Sequence, residues 1–396
     1  MNIFVLINQY KLEGFIKYAL LFFLFLSIVL GNQTAQIEFL GLRESQWVIL
    51  ILFPLAFYLV LRKELYKDFV VQILLVFIIL GLFQAYRAYE SIVPLKFWLA
   101  ASGLYLYPLF FLISLVAFDK KDIKLIFNTI WFSTLIGITL FVGEYFYRTG
   151  QLPFLVRTSS DMLPVISAGL IASLIYCLRI SLNKYLITLI PLLLFSALMF
   201  VKGAMLAIIA TLLFTLFRRF LGMAVLFSVI VAASVVWFMT LHIEEYIVYA
   251  NQGDIFWYNV VTRLLVWQDY FKDFLYFPSN FIFGSGITPF FSTSIYEKLT
   301  LSLFSDCSGV IHFNPHNSYL LMIHFSGVLS LALFFIFIFK VLSLKSIVMD
   351  KQLSLLIPLT VFFLMLAMTT PVFELHYMAP IFWVLLGAVY RYRQSN

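Results

Sequence analysis

Charge is what this 396-residue sequence has least of: Asp, Glu, Lys and Arg make up 11% of it, against 63% hydrophobic residues and a mean hydropathy of +1.02. A soluble domain carries about 25% charged and 45–50% apolar residues, so too few polar side chains exist here to cover an apolar core in water. A soluble globular protein is excluded. Cysteine is almost missing. Cys177 lies in an apolar run and Cys307 in a distant polar stretch, so no disulfide is expected. No Gly-rich phosphate loop is present, and no acidic pair typical of metal–nucleotide sites; Gly284-Ser285-Gly286 is too slight to serve as one. The net charge is +7, but no basic cluster interleaves with exposed aromatics, which argues against nucleic acid. No cleavable leader is expected either: the first apolar run, Phe15–Leu30, lacks a convincing small-residue cleavage site and reads as a spanning helix or signal anchor.

Long apolar runs are what the chain has instead. They fall near residues 15–31, 46–61, 69–85, 94–117, 123–146, 161–180, 184–201, 203–217, 220–241, 317–339, 353–369 and 377–391. The expectation is an all-α, polytopic transmembrane bundle of about 12 helices, a single transmembrane domain over 1–396. Its 46 Phe and 22 Tyr suit lipid-facing surfaces and interfacial belts. With the N-terminus inside and helices alternating, 17 of the 26 Lys and Arg fall in inner segments and 9 in outer ones. The positive-inside rule then puts both termini in the cytoplasm.

Residues 242–316 interrupt the pattern as one long connection that the charge count places outside, as a large periplasmic loop. Loops of that length in a compact bundle are usually functional. Within it, Phe256–Phe274 reads as an amphipathic interfacial helix, with Trp257, Leu264, Trp267 and Phe271 on one stripe, ended by Gly284, Gly286 and Pro289.

The densest local signal closes that loop: Asn314-Pro315-His316-Asn317-Ser318-Tyr319-Leu320. Pro315 stops any helix before it, and Asn317 or Ser318 can cap the one that follows. His316 is then held at the membrane surface, either as a proton acceptor for a hydroxyl or as a ring bonded to a backbone carbonyl. His312 stands four residues earlier, but Pro315 breaks the helix a metal pair would need, and no third ligand accompanies them. Arg263 either pairs with Asp269 or a lipid headgroup, or offers a fork of donors to a phosphate. Lys202 either snorkels to the headgroups or faces an internal cavity. Arg157 and Asp161 form another outer polar cluster ahead of a helix.

Over about residues 157–340, these segments resemble the O-antigen polymerase and O-antigen ligase superfamily, multi-helix inner-membrane glycosyltransferases of C-type architecture. Three features carry the likeness in order: Lys202-Gly203-Ala204-Met205-Leu206; Arg263 with Trp267, then Phe283-Gly284-Ser285-Gly286; and His316-Asn317-Ser318-Tyr319-Leu320. Lys202 stands where the family usually has Arg, which keeps the charge and loses the bidentate fork. The resemblance implies a metal-independent, cofactor-free transfer at the periplasmic face of a bacterial inner membrane. The donor is an undecaprenyl-pyrophosphate-linked oligosaccharide. The acceptor is a glycan hydroxyl, on a lipid-linked repeat unit for a polymerase or on lipid A-core for a ligase. His316 and Arg263 are implied as catalytic, and Lys202, Arg157, Asp161, Asn317 and Tyr319 as substrate-binding. A chain-length regulator protein and membrane lipids are the implied partners. A flippase or transporter is a separate reading, but it would favour internal repeats and midplane polar groups. A C-type transferase using Glu38 or Glu44 in the first outer loop is a further one.

Overall fold

A computed structural model describes residues 3–30, 38–39, 42–89, 102–151, 162–177, 188–199, 202–216, 241–287, 294, 298–299, 316–342, 353–370 and 372–394. The fold is all-α apart from one antiparallel pair of two-residue strands, β1 (Glu38–Phe39) and β2 (Leu42–Arg43). The helices are α1 (Ile3–Leu30), α2 (Glu44–Arg62), α3 (Phe69–Tyr89), α4 (Leu109–Ala117), α5 (Ile123–Thr149), α6 (Met162–Cys177) and α7 (Leu189–Met199). They continue as α8 (Lys202–Leu216), α9 (Ile243–Asn251), α10 (Ile255–Tyr276), α11 (Pro278–Phe283), α12 (Ser318–Leu342), α13 (Leu353–Leu366) and α14 (Ala379–Gln394).

Eleven of the twelve apolar runs contain a helix; the twelfth, 220–241, lies almost wholly outside the described residues. The expected count of membrane spans is nevertheless corrected. Among the described residues, five helices are long and apolar enough to cross a membrane: Gln9–Leu30, Glu44–Arg62, Phe69–Arg87, Lys120–Thr149 and Ser318–Leu342. The other described helices are shorter, and hydropathy alone does not register where a helix ends. The run at 94–117 turns at Tyr107–Pro108, and α13 gives way to turns after Leu366. A 16-residue helix such as α14 reaches only ~24 Å, against about 30 Å of hydrocarbon.

Polar contacts define two ends of the bundle. At one, Lys17 pairs with Asp122 at 2.7 Å and Lys63 with Glu13 at 3.1 Å. There too the Tyr390 hydroxyl and Gln394 Nε2 donate to Asp68, and Arg393 Nη1 donates to the carbonyls of Lys340 and Val341. The start of α1 and the finish of α14 therefore share this end. At the other end, Arg43 meets His376, Ser318 meets Glu374, and Gln84 Nε2 donates to the Phe283 carbonyl at 2.7 Å. The short helix α14 thus runs from end to end, from near His376 to Gln394. At the centre all nine residues of α4 and Ala379 through Val389 of α14 are buried. These two helices approach closely, with Ser114 Oγ donating to the Val384 carbonyl at 2.8 Å and Gly387 leaving no room for a Cβ beside the Phe111 carbonyl.

Candidate functional site

The candidate site is built at the His376 end, starting from the opening of α12. Asn317 caps that helix: its Oδ1 accepts the backbone N–H of Tyr319 at 3.0 Å and of Leu320 at 3.1 Å. His316 precedes the cap in a left-handed conformation, φ 49°, one of two non-glycine residues with positive φ among those described. That conformation is uncommon for a side chain with a Cβ and is held here by the capped helix on its C-terminal side.

Ser318 fastens a second segment to this corner. Its backbone N–H donates to the Ala367 carbonyl at 2.9 Å, and its hydroxyl accepts the N–H groups of Val372 at 2.8 Å and Phe373 at 3.3 Å. The hydroxyl has one proton to give. Glu374 Oε2 at 2.7 Å takes it in preference to the Thr370 carbonyl at 3.5 Å. The turn between α13 and α14 is thereby drawn against the residues next to His316, and it carries two buried ionisable groups, Glu374 and His376.

The long connection supplies the third wall. Its amphipathic helix is present as α10, and most of the expected stripe faces inward: Leu264 is buried and Trp257 and Trp267 pack against an apolar cluster of Val261, Leu265, Tyr270 and Phe274 with Ile247 of α9 and Leu320 of α12. Phe271 is the exception, at 51% exposed. The buried face is wider than the stripe because α10 packs on protein, on α9 and α12. Tyr270 sets its ring edge-on to His324, centroids 5.1 Å apart, and burial with the nearby Glu374 and Asp273 charges pushes its phenol well above the usual range.

Arg263 lies one side of this helix, partly buried, and desolvation lowers its proton affinity. The pairing with Asp269 is not what forms. Asp269 instead accepts from Ser294 Oγ at 2.5 Å and the Ser294 N–H at 3.0 Å, with Lys272 at 3.4 Å. No carboxylate pairs with Arg263 among the described residues. Its charge acts on His316 instead. The His316 ring reaches the surface, but protein crowds it on most sides, and this desolvation together with the Arg263 charge lowers its pKa to about 4. At neutral pH the ring is an unprotonated base that feels the Arg263 charge.

Below this corner α12 is broken at Gly327, φ 78° and ψ 172°. The break frees carbonyls that the turn after α11 collects: Ser285 N–H donates to the His324 carbonyl at 2.7 Å and Gly286 N–H to Phe325 at 3.1 Å. The Gly-Ser-Gly turn is therefore a structural clasp on α12.

Of the residues singled out in the sequence, His316 and Arg263 are near enough for the Arg263 charge to act on the His316 ring. Asn317 is the helix cap. The Tyr319 hydroxyl donates to the Leu364 carbonyl at 2.7 Å and its ring packs among Phe334, Phe335 and Phe373, which makes it a packing residue. Lys202 opens α8, which packs on α6 and α13. Arg157, Asp161 and His312 lie outside the described residues. Among those described, no group of three or more His, Cys, Asp or Glu side chains is placed to hold a metal ion.

Sequence reasoning missed the pair Arg43 and His376. Arg43 Nη1 lies 2.8 Å from His376 Nδ1, and His376 Nε2 lies 3.8 Å from Glu44 Oε1. The available signal was Glu374-Leu375-His376, an acid and a histidine in a short connection of a chain with only five histidines. Compared with protein-family models, with curated proteins and with solved structures, the chain matches none.

Proposed function

We propose that this protein is a membrane-embedded glycosyltransferase that polymerises lipid-linked glycan repeat units at the periplasmic face of a bacterial inner membrane. The observation that carries the reading is His316, neutral, presented at the mouth of α12 and within the electrostatic field of Arg263 on α10. In the transfer, a sugar hydroxyl of the acceptor attacks the anomeric carbon of the donor. A new C–O bond forms as the bond from that carbon to the pyrophosphate oxygen breaks. His316 takes the hydroxyl proton, and Arg263, with Lys202 as a further cation, offsets the charge released on the undecaprenyl pyrophosphate. No bound metal is required for these steps, because the leaving group is already a stable anion and the cations are side chains. A chain-length regulator protein would act on the product from outside this site.

The test is transfer in vitro with the purified full-length protein and undecaprenyl-pyrophosphate-linked repeat units, with and without lipid A-core. Polymer from the donor alone supports polymerisation. Product formed only with lipid A-core reassigns the same chemistry to a ligase. Absence of both rejects transfer and revives transport. Arg263→Ala should abolish product and Arg263→Lys leave little, since the planar fork is lost. Lys202→Ala should be severe, whereas Lys202→Arg should stay active.

A further inference from the structure

The stretch 274–287 holds no charged residue, in a long connection that elsewhere carries Glu244, Asp254, Arg263, Asp269 and Lys272. It comprises the end of α10, the short helix α11 and the turn after it. Its large side chains point away from the protein: Phe277 and Phe283 are each 58% exposed, and Phe281 and Ile282 are exposed as well. In water this would be a bare apolar patch beside the candidate site.

Two membrane-length helices fix how deep the patch lies. Gln84 Nε2 of α3 donates to the Phe283 carbonyl at 2.7 Å, and Gln84 is three residues inside Arg87, the charge that closes the apolar span of α3. Three residues are ~5 Å of helix. On α12, Gly327 leaves no room for a Cβ beside the Ile282 carbonyl and stands nine residues beyond Ser318. A helix of that length runs ~37 Å against about 30 Å of hydrocarbon, so with the surplus shared between its ends Gly327 lies ~10 Å inside. Both helices therefore put Ile282 and Phe283 about 5–10 Å into the apolar layer, the depth at which interfacial helices sit.

The surroundings agree with that depth. Leu82, Phe83 and Tyr86 of α3 and Leu329 of α12 are exposed, so the outward faces of both spans continue the patch. After α11 the chain turns back toward the His316 end, with Ser285 N–H donating to the His324 carbonyl and Gly286 N–H to that of Phe325. Backbone that enters the apolar layer without spanning it needs such partners. Water reaches the last turn of α10, where the Lys272 side chain is 49% exposed and Asp273 is the last charge before the apolar stretch. Tyr276, one turn beyond Lys272, then falls in the headgroup layer, where tyrosine is favoured.

We propose that residues 277–283 form a re-entrant elbow, entered from the headgroup layer at Tyr276, whose exposed face is covered by acyl chains of the leaflet at the His316 end. Depth and the lack of charge favour lipid over a soluble partner, and continuity with the lipid-facing sides of α3 and α12 favours it over a second copy of the chain. The elbow ties the end of α10, the helix that carries Arg263, to the bilayer.

The experiment is fluorescence quenching on the full-length protein in phosphatidylcholine nanodiscs, with Cys177 and Cys307 replaced by Ser. One environment-sensitive fluorophore is attached at Phe283→Cys, at Phe281→Cys or, as the aqueous control, at Tyr249→Cys, which is 50% exposed on α9. Discs open both faces to iodide, so the outcome does not depend on which way the bundle is inserted. Fluorescence at 283 and 281 should lose most of its intensity when nitroxide-labelled lipid replaces plain lipid, and should hardly respond to iodide; position 249 should behave in the opposite way. Both test substitutions remove exposed side chains, and 281 decides the matter if the 283 variant does not assemble. Quenching at these positions by iodide and not by nitroxide lipid overturns the elbow in favour of an aqueous face. Quenching by neither overturns it in favour of a protein cover, such as a second copy of the chain. The assay uses no glycan substrate, so its failure leaves the transfer reading to its own test.

Discussion

At neutral pH the His316 imidazole is a base without a proton, which is the state a general base must start in. A ring held at about 4 loses that state only in acid. Transfer (kcat/KM) should therefore be level from about pH 8 to 5 and fall below, whereas an unperturbed histidine would give an inflection near 6.5. Because the Arg263 charge helps hold the value down, Arg263→Lys should preserve the profile of any residual activity, and Arg263→Ala should raise the His316 pKa, readable by NMR titration. Replacing His316 with Gln or Asn should cost roughly two to four orders of magnitude in rate if it is the base. Near-normal turnover in His316→Gln would reject that role. Stability follows the same shift with a definite sign. Between about pH 6.5 and 4 the unfolded chain binds a proton that the folded ring does not, so His316 favours unfolding increasingly as the pH drops through that window, and contributes no such penalty above it. At this scale the sequence was informative where the chemistry is local. Pro315-His316-Asn317 announces a stopped chain, a presented ring and a cap, and the cap forms as expected. Arg43 and His376 are 333 residues apart, and no local pattern announces their meeting.

The elements around the site are held by close backbone approach more than by side-chain volume. Where α12 opens at Gly327, a Cβ would fall 2.0 Å from the Ile282 carbonyl oxygen, and at Gly284 one would fall 2.4 Å from the Phe325 oxygen. Both contacts are with backbone, which cannot swing aside. Gly327→Ala should thus cost the left-handed strain of about 1–2 kcal/mol together with an overpacking cost of roughly 1–3 kcal/mol, and should release the turn from α12. Gly150 separates the two terms. It also has a positive φ, 66°, yet a Cβ there would meet nothing within 4 Å. The expected order of thermal midpoints in micelles is wild type, then Gly150→Ala, then Gly327→Ala. Equal losses in the two variants would mean that the clasp on α12 contributes nothing. The sequence had marked the glycines as the end of the amphipathic helix, but α10 ends earlier, at Tyr276, and Gly284 instead ends α11 and serves as partner to a break 43 residues later at Gly327. The same limit applies to the stripe on α10. Leu264, Trp257 and Trp267 were readable, whereas the place of Tyr270 and Phe274 in the cluster and the exposure of Phe271 were decided by α9 and α12 once the chain had folded back.

On the scale of the whole molecule, the bundle sorts its chemistry by end. The start of α1 and the finish of α14 lie among ion pairs at one end, while Arg43, His316, Ser318, Glu374 and His376 gather at the other. Of the described helices five are long enough to span, and the short helix α14 also runs from one end of the bundle to the other. The charge count of the sequence makes the ion-paired end the expected cytoplasmic one. Cysteine accessibility tests this with the native Cys177 and Cys307 first replaced by Ser. Tyr276, 78% exposed on α10, and Lys67, whose side chain is 59% exposed beside Asp68, mark opposite ends. An impermeant thiol reagent added to intact cells should label Tyr276→Cys, and should label Lys67→Cys only after the inner face is opened. The reverse pattern would turn the bundle over and place His316 in the cytoplasm, where lipid-linked donor awaiting polymerisation is not presented. Labelling of both from one side would deny that the two ends face different compartments at all. Only the expected pattern leaves the neutral His316 ring and the Arg263 guanidinium facing outward, as the proposed transfer requires.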